Sequence, residues 1–370
     1  MSQTMNKTEH SGSFMSMLAS GTLRIIVSLV IPLLAFVVLA WSVTYMTNAD
    51  APKALRAVIA LLVGVGGIWV LYIAFDNLVS LLPVRMREGV RPFVFVGPAL
   101  VIITVYLLYP AVDTFIRSFK DARSVNFIGL ENYKFIFTDP NMLLVLRNNL
   151  LWLVFVTSFV VGLGLVIAVM VDRVRWESAA KSIIFLPMAI SAVGASVIWK
   201  FIYTFRPAGR PQIGLLNAIW VALGGDPQGW LLLQPWNNFF LIVIYVWILV
   251  GFAMVVISAA VKGVPNEQLE AARIDGASEI QIFFKVIIPN IRATLLTITT
   301  TILIMVLKVF DIVFVMTSGQ FGTQVIANSM FNQMFTFRQF GRASALAVIL
   351  LIGVIPVMIY NVRSFREARS

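Results

Sequence analysis

The chain has 370 residues, of which 59% are hydrophobic and only 12% charged, and its formal net charge is +11. Soluble domains carry roughly a quarter charged residues, so this composition excludes an ordinary soluble protein. The absence of cysteine and the single histidine, His10, exclude a disulfide framework, a thiolate metal site and a histidine-based triad. The basic residues are scattered through the connecting segments, which favours membrane topology over nucleic-acid binding as their explanation.

Eight apolar segments are long enough to cross a bilayer, which requires about 20 residues per helix. They are predicted at residues 24–45, 55–79, 93–112, 149–171, 183–203, 237–261, 293–316 and 343–360. The predicted fold is therefore an all-α polytopic membrane protein. Ala49-Asp50-Ala51 looks like a signal-peptidase site, but the apolar run before it is long for a signal peptide. We therefore expect the first span to be retained.

Two of the spans contain residues that change helix packing or regularity. Gly64, Gly66 and Gly67 of the second span permit a close approach of a neighbouring helix. Pro187 and Gly194 are predicted to interrupt the fifth span.

Charge and span number together predict the organisation of the chain. The predicted parts are an N-terminal tail (1–24), two additional spans (25–92), a span with a long polar segment (93–145), a five-span core (146–362) and a C-terminal tail (363–370). An even number of spans places both termini on one side. The basic residues in the short connectors after spans two and four favour the cytoplasm for that side.

The polar segment 262–292, which we name the elbow segment, is predicted to fold as two short helices joined by a glycine. Asn266 is predicted to cap the first helix, with Glu267 and Glu270 supplying negative charge to its first turn. Gly276 is expected to end that helix in the left-handed conformation. Ser278 then begins a second helix, with Gln281 as its capping-box partner.

The second helix of the elbow segment is predicted to have one apolar face. That face consists of Ile280, Phe283, Phe284 and Ile287, which recur at helical spacing. Pro289 is expected to end the helix, because a proline disfavours helical geometry at the residue before it.

The spacing of residues in the elbow segment resembles a family signature. Glu270-Ala271-Ala272 is followed after three residues by Gly276, and after nine more by Val286, Ile288 and Pro289. This pattern is similar to that of the inner-membrane permease subunits of binding-protein-dependent ABC importers. The resemblance implies a type I importer (MetI-like) permease core, in which this loop is a coupling helix docked on a separate ATPase subunit. The residues implied to couple are Glu270, Ala271, Ala272, Asp275, Gly276, Ala277 and Pro289.

Other stretches resemble the carbohydrate-uptake class of these permeases, and the α-glucoside group in particular. They are Gly129-Leu130-Glu131-Asn132-Tyr133, the run 183–190, Arg206-Pro207-Ala208-Gly209, the run 212–217, Phe310-Asp311 with Thr317-Ser318-Gly319, and Val325-Ile326-Ala327-Asn328. The resemblance implies that the transported solute is a sugar.

Candidate residues of the sugar path follow from the same resemblance. They are Met188, Ala192, Tyr245, Leu249, Phe252, Val306 and Val309. Ordinary helix packing explains each of them equally well. Lys308 and Asp311 lie three residues apart in the predicted seventh span, so they can share a helix face and pair. They form either a structural ion pair or a polar wall of the path.

The resemblance also implies the partners of the chain. They are a second homologous permease, an ATPase dimer, a periplasmic sugar-binding protein and the lipid bilayer, with no nucleic acid. Because no phosphate-binding loop motif occurs, ATP and Mg²⁺ are expected on the ATPase, and this chain is expected to bind no cofactor and to catalyse no reaction. A stand-alone secondary transporter or channel is the alternative. A membrane-embedded enzyme is disfavoured, because the spans contain no histidine, cysteine or clustered carboxylates.

Overall fold

A computed structural model describes residues 21–47, 52–79, 82–172 and 174–367. The regular secondary structure of these residues is helical, apart from one isolated bridge between Lys120 and Phe127. The α-helices are α1 (Gly21–Thr47), α2 (Lys53–Val79), α3 (Val84–Ile103), α4 (Tyr109–Arg117), α5 (Glu131–Thr138), α6 (Pro140–Val171), α7 (Glu177–Phe185), α8 (Ala192–Ile202), α9 (Leu215–Ala222), α10 (Asn237–Lys262), α11 (Asn266–Ile274), α12 (Glu279–Ile282), α13 (Ile288–Leu307), α14 (Asp311–Thr317), α15 (Ile326–Phe331) and α16 (Phe340–Glu367). The sequence at 49–51 that looks like a signal-peptidase site and most of the predicted N-terminal tail lie outside the described residues.

The number of membrane-spanning helices agrees with the sequence. Within the described ranges, seven helices are long and apolar enough to cross a membrane, and the count is eight if α7 and α8 form one bent span. The seven are Leu29–Thr47, Lys53–Val79, Phe95–Arg117, Pro140–Val171, Asn237–Lys262, Glu279–Leu307 and Phe340–Tyr360. The chain divides into two compact units, one ending at Ala111 and the other beginning at Val112.

In the first unit, α1 and α2 pack against each other at one of the three predicted glycines. A Cβ atom on Gly67 would lie 3.2 Å from Leu39 Cδ2, whereas Gly64 and Gly66 have nothing within 4 Å of that position. The close approach is therefore confirmed at Gly67, and for Gly64 and Gly66 it stays a prediction.

Polar contacts connect α2 with α3 in the same unit. The Tyr72 hydroxyl donates to the Phe95 carbonyl at 2.9 Å, and Arg91 pairs with Asp76 at 3.0 Å. Most of the large apolar side chains of these helices are exposed, and none of the most apolar part of Phe95–Arg117 is buried within the chain. Such surfaces require lipid or another membrane protein around them.

In the second unit, the core forms where α6 crosses α10. Trp152, Leu241 and Met254 are fully buried there. The two helices approach so closely that a Cβ atom on Gly164 would lie 2.8 Å from Ala253 Cβ. Gly164 thus sets the distance between α6 and α10.

Helix α6 begins at Pro140, nine residues before the predicted start of the fourth span at Asn149. Asp139 caps it, since its Oδ1 atom accepts hydrogen bonds from the backbone N–H groups of Asn141 at 2.9 Å and Met142 at 3.1 Å. A proline at the first helical position lacks only an N–H group that would have no intrahelical partner. The local Asp-Pro pair therefore extends the helix beyond its apolar part.

Asn148 and Asn149 of α6 lie buried at the end of the bundle opposite the elbow segment. The Asn148 amide donates to the carbonyls of Gly322 at 2.7 Å and Gln324 at 2.9 Å. Asn149 accepts from the Ile326 N–H at 2.7 Å and makes a long contact of 3.5 Å to the Leu307 carbonyl. These side chains bond to backbone groups that lack a helical partner.

The predicted seventh span is broken. Helix α13 ends at Leu307, and α14 restarts at Asp311 after a residue with φ −137° and ψ −59°. Lys308 and Asp311 consequently do not share a helix face, and no salt bridge joins these two described residues. The predicted pairing is wrong because the helix ends between them.

The predicted interruption of the fifth span is confirmed. Helices α7 and α8 meet at an angle of 100°, with a turn of 3₁₀ helix at Leu186–Ala189 that contains Pro187. Ser191 caps α8 by accepting the Gly194 N–H at 3.0 Å.

A single methyl group at Gly164 is expected to destabilise the protein. Gly164→Ala places a Cβ atom against the rigid Ala253 Cβ, and overpacking of this kind costs about 1–3 kcal/mol. Gly162→Ala, two residues away with nothing within 4 Å of its Cβ position, is the matched control. Thermal unfolding in detergent should show a lower Tm for Gly164→Ala and an unchanged or slightly higher Tm for Gly162→Ala. Equal Tm values for the two variants would contradict the close approach.

Candidate functional site

The elbow segment begins with α11, whose start differs from the prediction. The helix starts at Asn266 itself, the capping position is Pro265, and no side chain caps it. Asn266 is therefore not the N-cap, because Pro265, with φ −58° and ψ 130°, already occupies the last non-helical position. Glu267 lies in the first turn as predicted, but Glu270 lies beyond it.

The end of α11 is a glycine elbow of the Schellman type. Gly276 has φ +80°, as the sequence predicts. The Gly276 N–H donates to the Arg273 carbonyl at 3.1 Å, and the Ala277 N–H donates to the Ala272 carbonyl at 3.0 Å. These two hydrogen bonds form the Schellman motif, which ends a helix at a residue in the left-handed conformation. A Cβ atom on Gly276 would have nothing within 4 Å, so the backbone angle, not the available space, requires glycine.

The second helix restarts with the predicted capping box. The Gln281 N–H donates to Ser278 Oγ at 3.3 Å, and the Ser278 N–H donates to Gln281 Oε1 at 2.9 Å. Across the elbow, Arg273 Nε lies 3.1 Å from Glu279 Oε1. The elbow angle is thus held by hydrogen bonds between residues close in sequence.

Pro289 does not end the second helix, contrary to the prediction. In the π-helical turn at Phe283–Ile287, the Ile288 N–H donates to the Phe283 carbonyl. Helix α13 then continues through Pro289. The helix from Glu279 to Leu307 is continuous. Pro289 is tolerated because it directly follows the π-helical turn, where the regular i→i−4 hydrogen-bond pattern is already interrupted.

The π-helical turn also changes which apolar residues face the core. Ile282 and Ile287 are buried, whereas Ile280 is 71% and Phe284 61% exposed. The predicted apolar face is therefore wrong for Ile280 and Phe284, because the wider turn shifts the helix register. Phe283 is partly buried against the core.

The elbow segment has an inner and an outer surface. Leu269, Ala272 and Ala277 pack against the core. Three large apolar side chains, Ile274 (85% exposed), Ile280 and Phe284, form the outer surface with the exposed carboxylates of Glu270 and Asp275. Ala271 and Pro289 are also exposed. Exposed apolar side chains on a polar segment indicate a protein-binding surface.

An ionic network joins the elbow end of α10 to the start of α7. Lys181 Nζ lies 2.6 Å from Asp172 Oδ1 and 2.5 Å from Glu177 Oε1, and it contacts Ser258 Oγ. The Ser258 hydroxyl, which is buried, donates to Asp172 Oδ1 at 2.6 Å. Lys262 Nζ lies 2.5 Å from Glu177 Oε1. These five residues contain two carboxylates and two ammonium groups, so the network is neutral.

The sequence alone predicts only part of this network. The spacing of Glu177 and Lys181 by four residues is a local signal for a pair. The contacts with Ser258 and Lys262 depend on the packing of two distant helices, for which no local signal exists.

The structure places the predicted path residues in two environments. Leu249, Val306 and Val309 are buried in the core of the second unit, with Ala192, Tyr245 and Phe252 packed against it. The Tyr245 hydroxyl donates to the Met305 carbonyl at 3.3 Å. Met188 lies half-buried at the bend, and Lys308 and Asp311 are exposed at the break after α13. Their role in a sugar path stays a prediction.

Across residues 21–47, 52–79, 82–172 and 174–367, no group of three or more histidine, aspartate or glutamate side chains is arranged to hold a metal ion.

Comparisons with known proteins identify the family. The family described as "Binding-protein-dependent transport system inner membrane component" matches residues 160–369. The osmoprotective compounds uptake permease protein GgtC of Synechocystis sp. is 60% identical over 272 residues, covering 74% of this chain and 98% of GgtC. The α-glucoside transport system permease protein AglF of Rhizobium meliloti is 52% identical over 281 residues, covering 76% and 84%.

A solved structure shows the same fold. A chain of a bacterial ABC transporter involved in the import of the acidic polysaccharide alginate superposes with a TM-score of 0.66 at 20% identity, covering 76% of this chain and 99% of that one. The predicted all-α ABC permease fold is therefore confirmed. With the family match and the two relatives, the conclusion is that the chain belongs to the inner membrane components of binding-protein-dependent transport systems.

Proposed function

We propose that this chain is one of two unlike permease subunits of an ATP-driven importer for an α-glucoside-type oligosaccharide. The observation that carries the proposal is the elbow segment. It consists of two helices joined by a Schellman elbow and a capping box, and it exposes three large apolar side chains. A segment this polar has no reason to keep such side chains exposed unless another protein covers them.

The partner at this surface is proposed to be the ATPase subunit. Ile274, Ile280 and Phe284 would enter an apolar cleft, while Glu270 and Asp275 would meet polar or basic groups at its rim. The elbow segment and both chain termini would then lie in the cytoplasm. ATP and Mg²⁺ would be bound by the ATPase dimer, and this chain would bind neither.

The transport mechanism proposed is alternating access between this chain and a second homologous permease. A periplasmic sugar-binding protein would deliver the solute to the opposite end of the bundle. Closure of the ATPase dimer would displace the elbow segment, and the rigid Schellman elbow would pass that displacement to α10 and α13 without loss in a flexible loop.

The sugar class is supported by the relatives. AglF is named for α-glucoside transport and GgtC for osmoprotective compounds, so an α-linked glycoside is the proposed solute. We propose that it passes the bend at Met188 and Ala192 and the exposed charges of Lys308 and Asp311. The buried candidates Tyr245, Leu249, Phe252, Val306 and Val309 would contact it only after the bundle opens.

Reconstitution tests the function against a stand-alone transporter or channel. The purified chain, its ATPase and its second permease are placed in proteoliposomes with the binding protein, and uptake of labelled sucrose, maltose and trehalose is measured with and without ATP. We expect uptake only with ATP and with all subunits present. Uptake by the chain alone would favour the stand-alone alternative.

Substitution at the elbow is expected to uncouple transport from ATP hydrolysis. Gly276→Pro cannot adopt φ +80° and removes the N–H that binds the Arg273 carbonyl. We expect uptake to fall on the order of tenfold or more, a typical size for coupling between sites, while membrane insertion is unchanged. Gly209→Pro imposes the same backbone conflict, at φ +84°, in a loop outside the elbow segment, so it is the control for loop strain and should retain transport. Wild-type uptake by Gly276→Pro would refute the rigid elbow.

Removal of an exposed ring should weaken ATPase docking without unfolding the chain. Phe284→Ala deletes a side chain that is 61% exposed, and a central interface residue of this kind contributes about 2 kcal/mol or more, roughly a thirtyfold change in Kd. The control is Phe127→Ala, at a ring 74% exposed outside the elbow segment. Co-purification of the ATPase should be lost only for Phe284→Ala. Equal recovery with both variants would exclude the outer surface as the docking site.

A further inference from the structure

The ionic network lies where the elbow segment joins the transmembrane bundle. Lys262 is the last residue of α10, and only Gly263, Val264 and Pro265 separate it from α11. Its ammonium group is bound to Glu177, the first residue of α7. A displacement of the elbow segment therefore acts on α7 as directly as on α10.

A second contact holds the two helices together nearer the bend. A Cβ atom on Gly251 of α10 would lie 2.4 Å from the Ile184 carbonyl oxygen and 2.7 Å from Phe185 Cα. The backbones of α7 and α10 thus touch at the end of α7, where only glycine fits. The ionic network fixes the beginning of α7, and Gly251 fixes its end.

Two fixed points along a helix of nine residues prevent it from sliding or rotating against its neighbour. Immediately after the second point, the chain turns through 100° at 186–191 and continues as α8. Met188 and Ala192, which the sequence predicts to lie on the sugar path, occupy this turn and the start of α8.

We propose that α7 and the adjoining half of α10 move as one rigid unit, which carries the displacement of the elbow segment to the bend at 186–192. Asp172, Glu177, Lys181, Ser258 and Lys262 are positioning residues in this unit. The inference rests on the proposed function, since it concerns how ATPase-driven motion reaches the solute path.

The charge arithmetic of the network guides the choice of variant. Asp172 and Lys181 are the more buried pair, so removal of either one alone would leave its partner without a balancing charge and destabilise the protein, whereas Glu177 and Lys262 are more exposed. Glu177→Cys combined with Lys262→Cys removes one negative and one positive group, so Asp172 and Lys181 remain as a balanced pair 2.6 Å apart. Because the chain contains no cysteine, the two new thiols are the only ones in it.

The experiment asks whether a covalent bridge can replace the ionic one. The double variant is assembled with its ATPase, second permease and binding protein in proteoliposomes. The thiols are then joined by propane-diyl bismethanethiosulfonate, a reducible reagent whose atom chain is comparable to the bridge between the Glu177 and Lys262 side chains. Uptake of labelled sucrose, maltose and trehalose is measured together with ATP hydrolysis.

We expect the unlinked double variant to hydrolyse ATP but to import about tenfold less sugar per ATP than the wild type. Linking should restore the wild-type ratio of sugar imported to ATP hydrolysed. A reducing agent, which breaks the link, should lower that ratio again. The single variants Glu177→Cys and Lys262→Cys, which the reagent cannot link, should show no restoration. A purely structural role would lower the yield or the Tm of the complex without this reversible change in the ratio.

Two results would overturn the inference while leaving the proposed function intact. One is a wild-type ratio in the unlinked double variant, which would show that the network is not needed. The other is a ratio that stays low or falls further on linking, which would show that α7 and α10 must move relative to each other. A wild-type complex without ATP-dependent uptake would instead refute the proposed function and the inference with it.

Discussion

Helix breaks inside an apolar bundle leave backbone N–H and C=O groups without partners, and the fold depends on side chains that supply those partners. Within a bilayer an unsatisfied backbone group costs several kcal/mol. Asn149 reaches from α6 to the Leu307 carbonyl at the end of α13 and to the Ile326 N–H at the start of α15. Ser191 does the same for α8 after the bend. Because these partners exist, the interruptions of the fifth and seventh spans are stable parts of the structure.

The breaks have a functional consequence. An unbroken seventh helix would place Lys308 and Asp311 on one face, where they could pair with each other. The break at 308–310 instead leaves both side chains exposed and unpaired with each other. Charges that are costly in a membrane are retained where they face water, a partner or a solute. The break therefore makes the two charges available to the path that we propose.

Local chemistry predicted the glycine elbow and the capping box of the elbow segment, and packing explains what the sequence did not show. Gly276, Ser278 and Gln281 act through hydrogen bonds to residues within five positions, so their roles can be predicted from spacing alone. The apolar face of the second helix was predicted incorrectly, because a π-helical turn, which leaves no sequence signal, shifts its register. Which of Gly64, Gly66 and Gly67 meets another helix depends on the rotation of α2, and the pattern of residues does not determine it.

Helix α10 connects these features, because it is fixed differently at its two ends. At the end opposite the elbow segment, the Asn237 amide donates to the Phe321 carbonyl at 2.7 Å and to the Leu231 carbonyl at 3.3 Å. These are uncharged, directional contacts with a turn and with a short 3₁₀ helix. At the elbow end, Ser258 and Lys262 belong to a neutral set of charges. Hydrogen bonds from the uncharged Asn237 side chain to backbone carbonyls fix the position of one end of α10. A balanced ionic network can move with α7 as a body without exposing an unpaired charge, and for this reason the end nearest the elbow segment is the one suited to displacement.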